Sequence, residues 1–133
     1  MQATVFLYFK GDCETALRFY EKCGLGKIVE LRRIAGTPIA ERDGSEWDTK
    51  ILYAVFEGPR LRLCASDGVD SDPMKGCAIF LEDDNAETVR MFFDKLSAKG
   101  RVTVPFAKQF WGDHYGNFTD KFGVQWAMGS RTG

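Results

Sequence analysis

The chain's only histidine, His114, lies between Asp113 and Tyr115 in the stretch KQFWGDHYGNFTDKFGVQW. An imidazole titrates near neutrality, which makes His114 the first candidate for a general acid or base. It also follows Gly112 and Asp113 in what should be a turn, where a solvated histidine needs no catalytic role, and the sequence fixes no second titratable group beside it. Both readings stay open, with the turn ahead of catalysis. Cys13, Cys23, Cys64 and Cys77 are separated by ten or more residues, with no C-x-x-C pair and no second histidine. Neither a zinc knuckle nor a disulfide framework follows, and buried, reduced thiols are expected. Cys13 sits near a helix start, the setting that lowers a thiol pKa, yet burial is the preferred reading there too. Asp120 in TDKFG reads as a turn aspartate ahead of a hairpin and not as an acid catalyst. The segment DGSEWDT (43–49) gathers three acids around Trp47 and reads as a solvated loop or the mobile rim of a pocket. No G-x-S-x-G, Walker or dinucleotide fingerprint occurs, so no cofactor is expected.

The elements that must position these residues fall into two halves of one order. TVFLYF is rich in β-formers. In GDCETALRFYEKCGLG the period changes, and Cys13, Ala16, Leu17 and Tyr20 fall on one helical face. Asp12 would accept hydrogen bonds from the first turn of that helix, and Gly24 would end it in the left-handed conformation. KIVELRRI, the polar loop AGTPIAERDGSEWDT, and then KILYAVFEG and RLRLCASDG, joined by a tight turn at Gly58-Pro59, complete β-α-β-β-β. After the linker VDSDPMK the order repeats. GCAIFLE is a strand, and a helix follows with Val89, Phe92, Phe93 and Leu96 on one face, between an Asn85 cap and Gly100. RVTVPFA, KQFWGDHYGNFT and GVQWAMG supply three more strands. Modules of about 60 residues, each with one apolar sheet face, are expected to pair, with helices on one side and a concave face on the other. The expected fold is α+β: one domain of two βαβββ modules, module 1 spanning about 3–67 and module 2 about 76–129.

Composition bounds the partners. At 133 residues the chain can bury one core but not two independent conventional domains. Hydrophobic residues at 44% and aromatics at 14% exclude a disordered chain. Eighteen basic against 19 acidic residues leave a net charge of −1 without a long like-charge block, so neither nucleic acid nor an anionic membrane is an expected partner. The N-terminal MQATVFLYFKGD has a short apolar run with no basic residues ahead of it, which reads as a strand and not as a signal peptide or a span; a cytoplasmic protein is expected.

Two copies of β-α-β-β-β, with F-x-G-D-C-E-x-A-L-x-F-Y early and G-x-V-T-V-P, F-W-G and D-K-F-G-V-Q-W late, resemble the vicinal oxygen chelate superfamily of glyoxalases, bleomycin-resistance proteins and extradiol dioxygenases. Within it the chain is similar to the PhnB-like group, over about residues 3 to 129. The resemblance implies a partly rolled mixed sheet in each half, the two enclosing a cup with helices on the outer face, and a homodimer. In the metal enzymes of this superfamily a His, Glu or Gln from each of four strands binds a divalent ion. On that pattern the four positions fall near Val5, Leu63, Ala78 and Ala127, none of which can ligate. A one-residue slip brings in Phe6 or Thr4, Arg62 or Cys64, Cys77 or Ile79, Trp126 or Met128, and rebuilds no hard-ligand set. A cup without metal is therefore expected.

Strand alternation then puts Gln125 and Ala127 on the cup face and Trp126 under the helix; the same parity directs Val5, Leu7 and Phe9 inward from the first strand, with Ala78 and Phe80 from the fifth. Tyr53 occupies the place where many PhnB-like relatives carry a histidine, so its phenol replaces that group as a donor or is a buried Tyr with a partnered hydroxyl. The expected pocket is thus apolar and aromatic: Leu7, Phe9, Tyr53, Leu63, Phe80, Trp111, His114 and Gln125. Such a lining suits a small organic molecule held by burial, and equally a packed interior. Three functions follow in order. The first is a metal-free, ligand-binding homodimer; the second is an enzyme of lyase, isomerase or transferase type using His114, Tyr53 or Gln125; the third is a metal-dependent glyoxalase or dioxygenase.

Overall fold

The computed structural model describes residues 1–131. The backbone forms two units, Met1–Pro73 and the remainder from Met74 onward. The first unit runs β1 (Val5–Phe9), α1 (Cys13–Lys22), β2 (Lys27–Arg33), α2 (Pro38–Asp43), a 3-10 turn (Ser45–Trp47), β3 (Ile51–Glu57) and β4 (Arg62–Asp67). Its sheet has the order β1-β4-β3-β2, with β1 parallel to β4 and the other neighbours antiparallel. The second unit runs β5 (Ile79–Glu82), α3 (Ala86–Leu96), β6 (Arg101–Lys108), β7 (His114–Thr119) and β8 (Gln125–Ser130). Its order, β5-β8-β7-β6, repeats the first in both topology and strand sense. The α+β class and the βαβββ repeat are as the sequence predicts. Among the described residues no helix is long and apolar enough to cross a membrane.

Each helix buries the predicted stripe. Cys13, Ala16, Leu17 and Tyr20 are buried on α1; on α3 Val89, Phe93 and Leu96 are buried and Phe92 is half-buried at the stripe's edge. Tyr20 meets Phe56 of β3 edge-on at 6.3 Å, and Phe93 meets Phe118 of β7 at 4.9 Å, so these contacts mark the helix-facing side of each sheet.

The caps differ from one another. Asn85 is extended (φ −95°, ψ 107°) and its side chain accepts from Glu87 N at 3.0 Å and Thr88 N at 3.2 Å, as predicted. Asp12 makes no such bond, which corrects the sequence reading. Its backbone (φ −102°, ψ 7°) is not extended, so the side chain does not reach the first turn. The carboxylate that serves α1 comes from far along the chain. Asp67, 7% exposed at the end of β4, accepts from Gly11 N at 2.9 Å and Cys13 N at 3.0 Å through Oδ1 and from Ile51 N at 2.9 Å through Oδ2.

Three further boundaries shift. The segment expected to be a plain loop holds α2 and the 3-10 turn, because Pro38 is preset for a first helical turn. Strand β5 begins at Ile79 rather than Gly76. Gly24 ends α1 at φ +91°, but after α3 the left-handed residue is Lys99 (φ +62°) and not Gly100. Gly100 serves close approach instead: a Cβ there would strike Thr119 O, and one at Gly26 would strike Glu57 O. Each of these glycines follows its helix and lies against the backbone of the same strand position in its own module.

Asp67→Ala leaves three N–H groups, two of them buried, without acceptors and is expected to cost ~3 kcal/mol or more, read as a lowered urea midpoint. Glu21 gives a pH signature. Its Oε2 accepts from Ile28 N at 2.8 Å, and this bond, together with Arg18, holds the carboxyl below its ordinary value of 4.5. A depressed folded pKa contributes stability above the unfolded value and loses it as pH falls through the folded one. The destabilisation by Glu21→Ala is therefore expected to be full near pH 7 and to shrink below pH 4.5, measured by denaturation at a series of pH values.

Candidate functional site

Strand β8 fixes the site through one side chain. Asp120, 3% exposed, accepts through Oδ1 from Phe122 N at 2.9 Å and Val124 N at 3.0 Å, closing the turn between β7 and β8. Its Oδ2 accepts from Trp126 Nε1 at 2.9 Å. Asp120 is a turn residue as predicted, and it holds the fully buried Trp126 in the row of Phe118 and Ile79 on the helix side. Alternation along β8 then sends Gln125 and Ala127 to the helix-free face.

That face bears a cavity of about 270 Å³. Gly76, Cys77 and Ala78 ahead of β5, Thr103 on β6, Tyr115, Asn117 and Thr119 on β7, and Gln125 and Ala127 on β8 line it, with parts of Phe118 and Trp126. Asn117 Nδ2 donates to Tyr115 Oη at 3.1 Å. The Tyr115 ring meets Phe80 edge-on at 6.3 Å and Trp111 at 5.9 Å. Gln125 Oε1 is buried without a hydrogen-bond partner, an arrangement that ordinarily costs about 1–3 kcal/mol. A larger hollow of about 340 Å³ in the first unit is lined by Gly11, Glu14, Arg33, Lys50 and Asp67 among others. Its charges engage one another or the backbone: Arg33 holds Glu14 at 2.9 Å and depresses its pKa, Lys50 donates to Gly11 O at 3.0 Å, and Asp67 is the cap. The cavity on the second sheet is therefore the candidate site.

The predicted pocket residues separate. Phe80 and Gln125 stand on the helix-free face of the second sheet, as expected, and Trp111 is placed beside Tyr115 on the same side. In the first unit the parity is one residue out. Leu7, Phe9 and Leu63 are buried in the rows of Ala65, Asp67 and Phe56, beneath α1, while Val5 lies at the exposed end of the strand. The helix-free face carries Phe6 and Tyr8, stacked at 4.9 Å, with Tyr53 6.2 Å from Phe6. Tyr53 Oη lies 3.5 Å from Cys64 Sγ, which raises the phenol's pKa, and Arg62 Nη1 is 3.7 Å from the same sulfur.

His114 does not join Gln125. It is opposite Ser130, in the alternation of Gly116 and Phe118, and its ring stacks on Phe106 at 5.8 Å on the helix side, with Arg90 5.2 Å from the centre of the Phe106 ring. Its Nδ1 is buried without a partner. The only histidine and the cavity amide thus occupy opposite faces of one sheet. Cys13 is fully buried, and burial pushes its thiol pKa far up, so it is an inert thiol.

The rows also revise the metal positions. Ala127 pairs with Phe80, not Ala78, which precedes the strand; the matching row of the first sheet is Phe6 and Cys64. Neither pair, Phe80 with Ala127 or Phe6 with Cys64, offers hard donors for a divalent ion. Among the described residues no group of three or more His, Cys, Asp or Glu comes together. The sequence reading missed Tyr115, Asn117 and Thr119, although their period-two spacing in HYGNFT was available as the signal.

Comparisons place this geometry among known proteins. The family model for the Glyoxalase/Bleomycin resistance protein/Dioxygenase superfamily matches residues 3–128. Protein YjdN of Escherichia coli (strain K12) is 27% identical, over 96% of this chain and 94% of its own. Protein PA1353 from Pseudomonas aeruginosa superposes with a TM-score of 0.86 at 28% identity, covering 100% of this chain and 99% of that one. The PhnB protein from Bacillus cereus gives a TM-score of 0.79 at 21% identity, covering 96% and 98%.

His114→Phe keeps the stack on Phe106 and removes the unpartnered nitrogen. Stability is expected to be unchanged or raised, within about 1 kcal/mol, by urea denaturation. A loss of about 2 kcal/mol would mean that Nδ1 has a partner after all.

Proposed function

The chain belongs to the Glyoxalase/Bleomycin resistance protein/Dioxygenase superfamily, and on that premise we propose that it binds a small organic molecule on the helix-free face of its second sheet, without a metal ion. The cavity of about 270 Å³ with its lining of neutral polar and aromatic side chains carries this reading. A cavity of about 150 Å³ already admits benzene, so the volume is ample for a molecule of one or two rings. The lining supports burial as the main binding force, with a few neutral polar groups to orient the ligand.

The enzymatic alternative needs an acid or base beside the ligand. His114 faces the other side of the second sheet from the cavity, so it is not placed to serve a ligand held there. Assembly as a homodimer belongs to the same proposal. Phe80, Phe110 and Trp111, 54%, 96% and 51% exposed, are the apolar surface it would draw on.

Native mass spectrometry of the purified protein tests this. The expected spectrum is a dimer carrying an organic adduct and no metal. Ala127→Trp, which fills the cavity, is expected to lose the adduct while keeping the far-UV circular dichroism of the parent. A stoichiometric Zn, Ni, Mn or Fe ion, or an adduct unaffected by Ala127→Trp, overturns the proposal.

A further inference from the structure

Resting on that binding reading, we propose that the ligand presents an oxygen acceptor, of the kind a carbonyl carries, to the phenolic O–H of Tyr115, with Asn117 as the residue that leaves that proton free. On β7, Tyr115, Asn117 and Thr119 share the face that lines the cavity, and all three are half-buried. Asn117 Nδ2 donates to Tyr115 Oη at 3.1 Å. A phenol oxygen that already accepts has its own proton left to give, and among the described residues nothing accepts it. The incoming N–H also polarises the hydroxyl and makes it a better donor.

The surroundings fix where the hydroxyl stands. Tyr115 is opposite Gly129 in the β7–β8 ladder, and the Phe80 ring lies over that glycine, 3.2 Å from where a Cβ would be. Phe80 meets the Tyr115 ring edge-on at 6.3 Å, and Trp111 meets it at 5.9 Å. Two aromatic side chains thus restrain the ring while Asn117 holds its oxygen, so the donor is in place before a ligand arrives. The rim is open to water at Cys77, which is exposed. The hydroxyl therefore orients a ligand that keeps part of its hydration, and its effect on affinity is several-fold rather than many orders of magnitude.

The experiment compares acetophenone with α-methylstyrene, which have the same shape and differ in a carbonyl against a methylidene group. Both Kd values are read from amide shifts on β7 and β8 in nitrogen–proton correlation spectra of the full chain. The ratio of the acetophenone Kd to the α-methylstyrene Kd is the readout, so a loss of packing that weakens both ligands alike leaves it unmoved. Tyr115→Phe keeps the ring and is expected to raise that ratio about fivefold. Asn117→Asp leaves the tyrosine in place but gives its proton an acceptor within the chain, and is expected to raise the ratio as well. A ratio unchanged by Tyr115→Phe overturns the role of the hydroxyl and leaves the binding reading standing. A ratio that responds to Tyr115→Phe but not to Asn117→Asp overturns the part given to Asn117. Absence of shifts on β7 and β8 with both ligands at their solubility limits overturns the binding reading itself.

Discussion

Two buried carboxylates, one in each module, hold the strands of their own module in place. Asp67 ties the start of α1 to the start of β3 from the end of β4, and Asp120 ties the β7–β8 turn to the indole of Trp126. Each replaces the water a carboxylate would lose on burial with N–H donors, the condition under which a buried charge is tolerable. The consequence reaches beyond stability. A strand has only two faces, so fixing the direction of one side chain fixes all its neighbours. Trp126 pinned under α3 is what turns Gln125 and Ala127 to the other side.

This also explains which parts of the site were legible in the sequence. The β8 segment GVQWAMG mixes a polar glutamine with a large indole, so its parity can be read, and the orientation of Phe80, Gln125 and Ala127 follows correctly. The β1 segment VFLYF is apolar at every position and carries no alternation to read. There the choice between Leu7 and its neighbours Phe6 and Tyr8 rests on pairing with β4, where Leu7 lies opposite Ala65 far along the chain. The cap of α1 was hidden for the same reason: Asp12 is the local candidate, but the carboxylate that serves lies more than fifty residues away, |i−j| = 54 for Cys13. By contrast Asn85 caps its own helix, and a local rule suffices.

The repeat was legible because both modules solve one geometric problem in the same way. After each helix the chain must return against a strand with almost no clearance, and Gly26 and Gly100 stand at that point. A side chain at either would meet a carbonyl oxygen, so glycine is required by space rather than by backbone angle. The sequence reading assigned Gly100 to the helix end, the commoner use of glycine, and that is why the residue was recognised while its role was not.

The unpartnered atoms close the argument. The protein supplies donors to both of its most buried carboxylates, so its interior is not one in which polar groups are left unpaired at random. His114 Nδ1 and Gln125 Oε1 are the exceptions named among the described residues. Their surroundings separate them. His114 lies on the helix side against Phe106, where its ring contributes stacking whether or not the nitrogen is paired. Gln125 lines an open-faced cavity among neutral polar and aromatic groups, where a hydrocarbon side chain would fill the same row without the penalty. The alternation of β8, set by Asp120 through Trp126, is what turns Gln125 to that face.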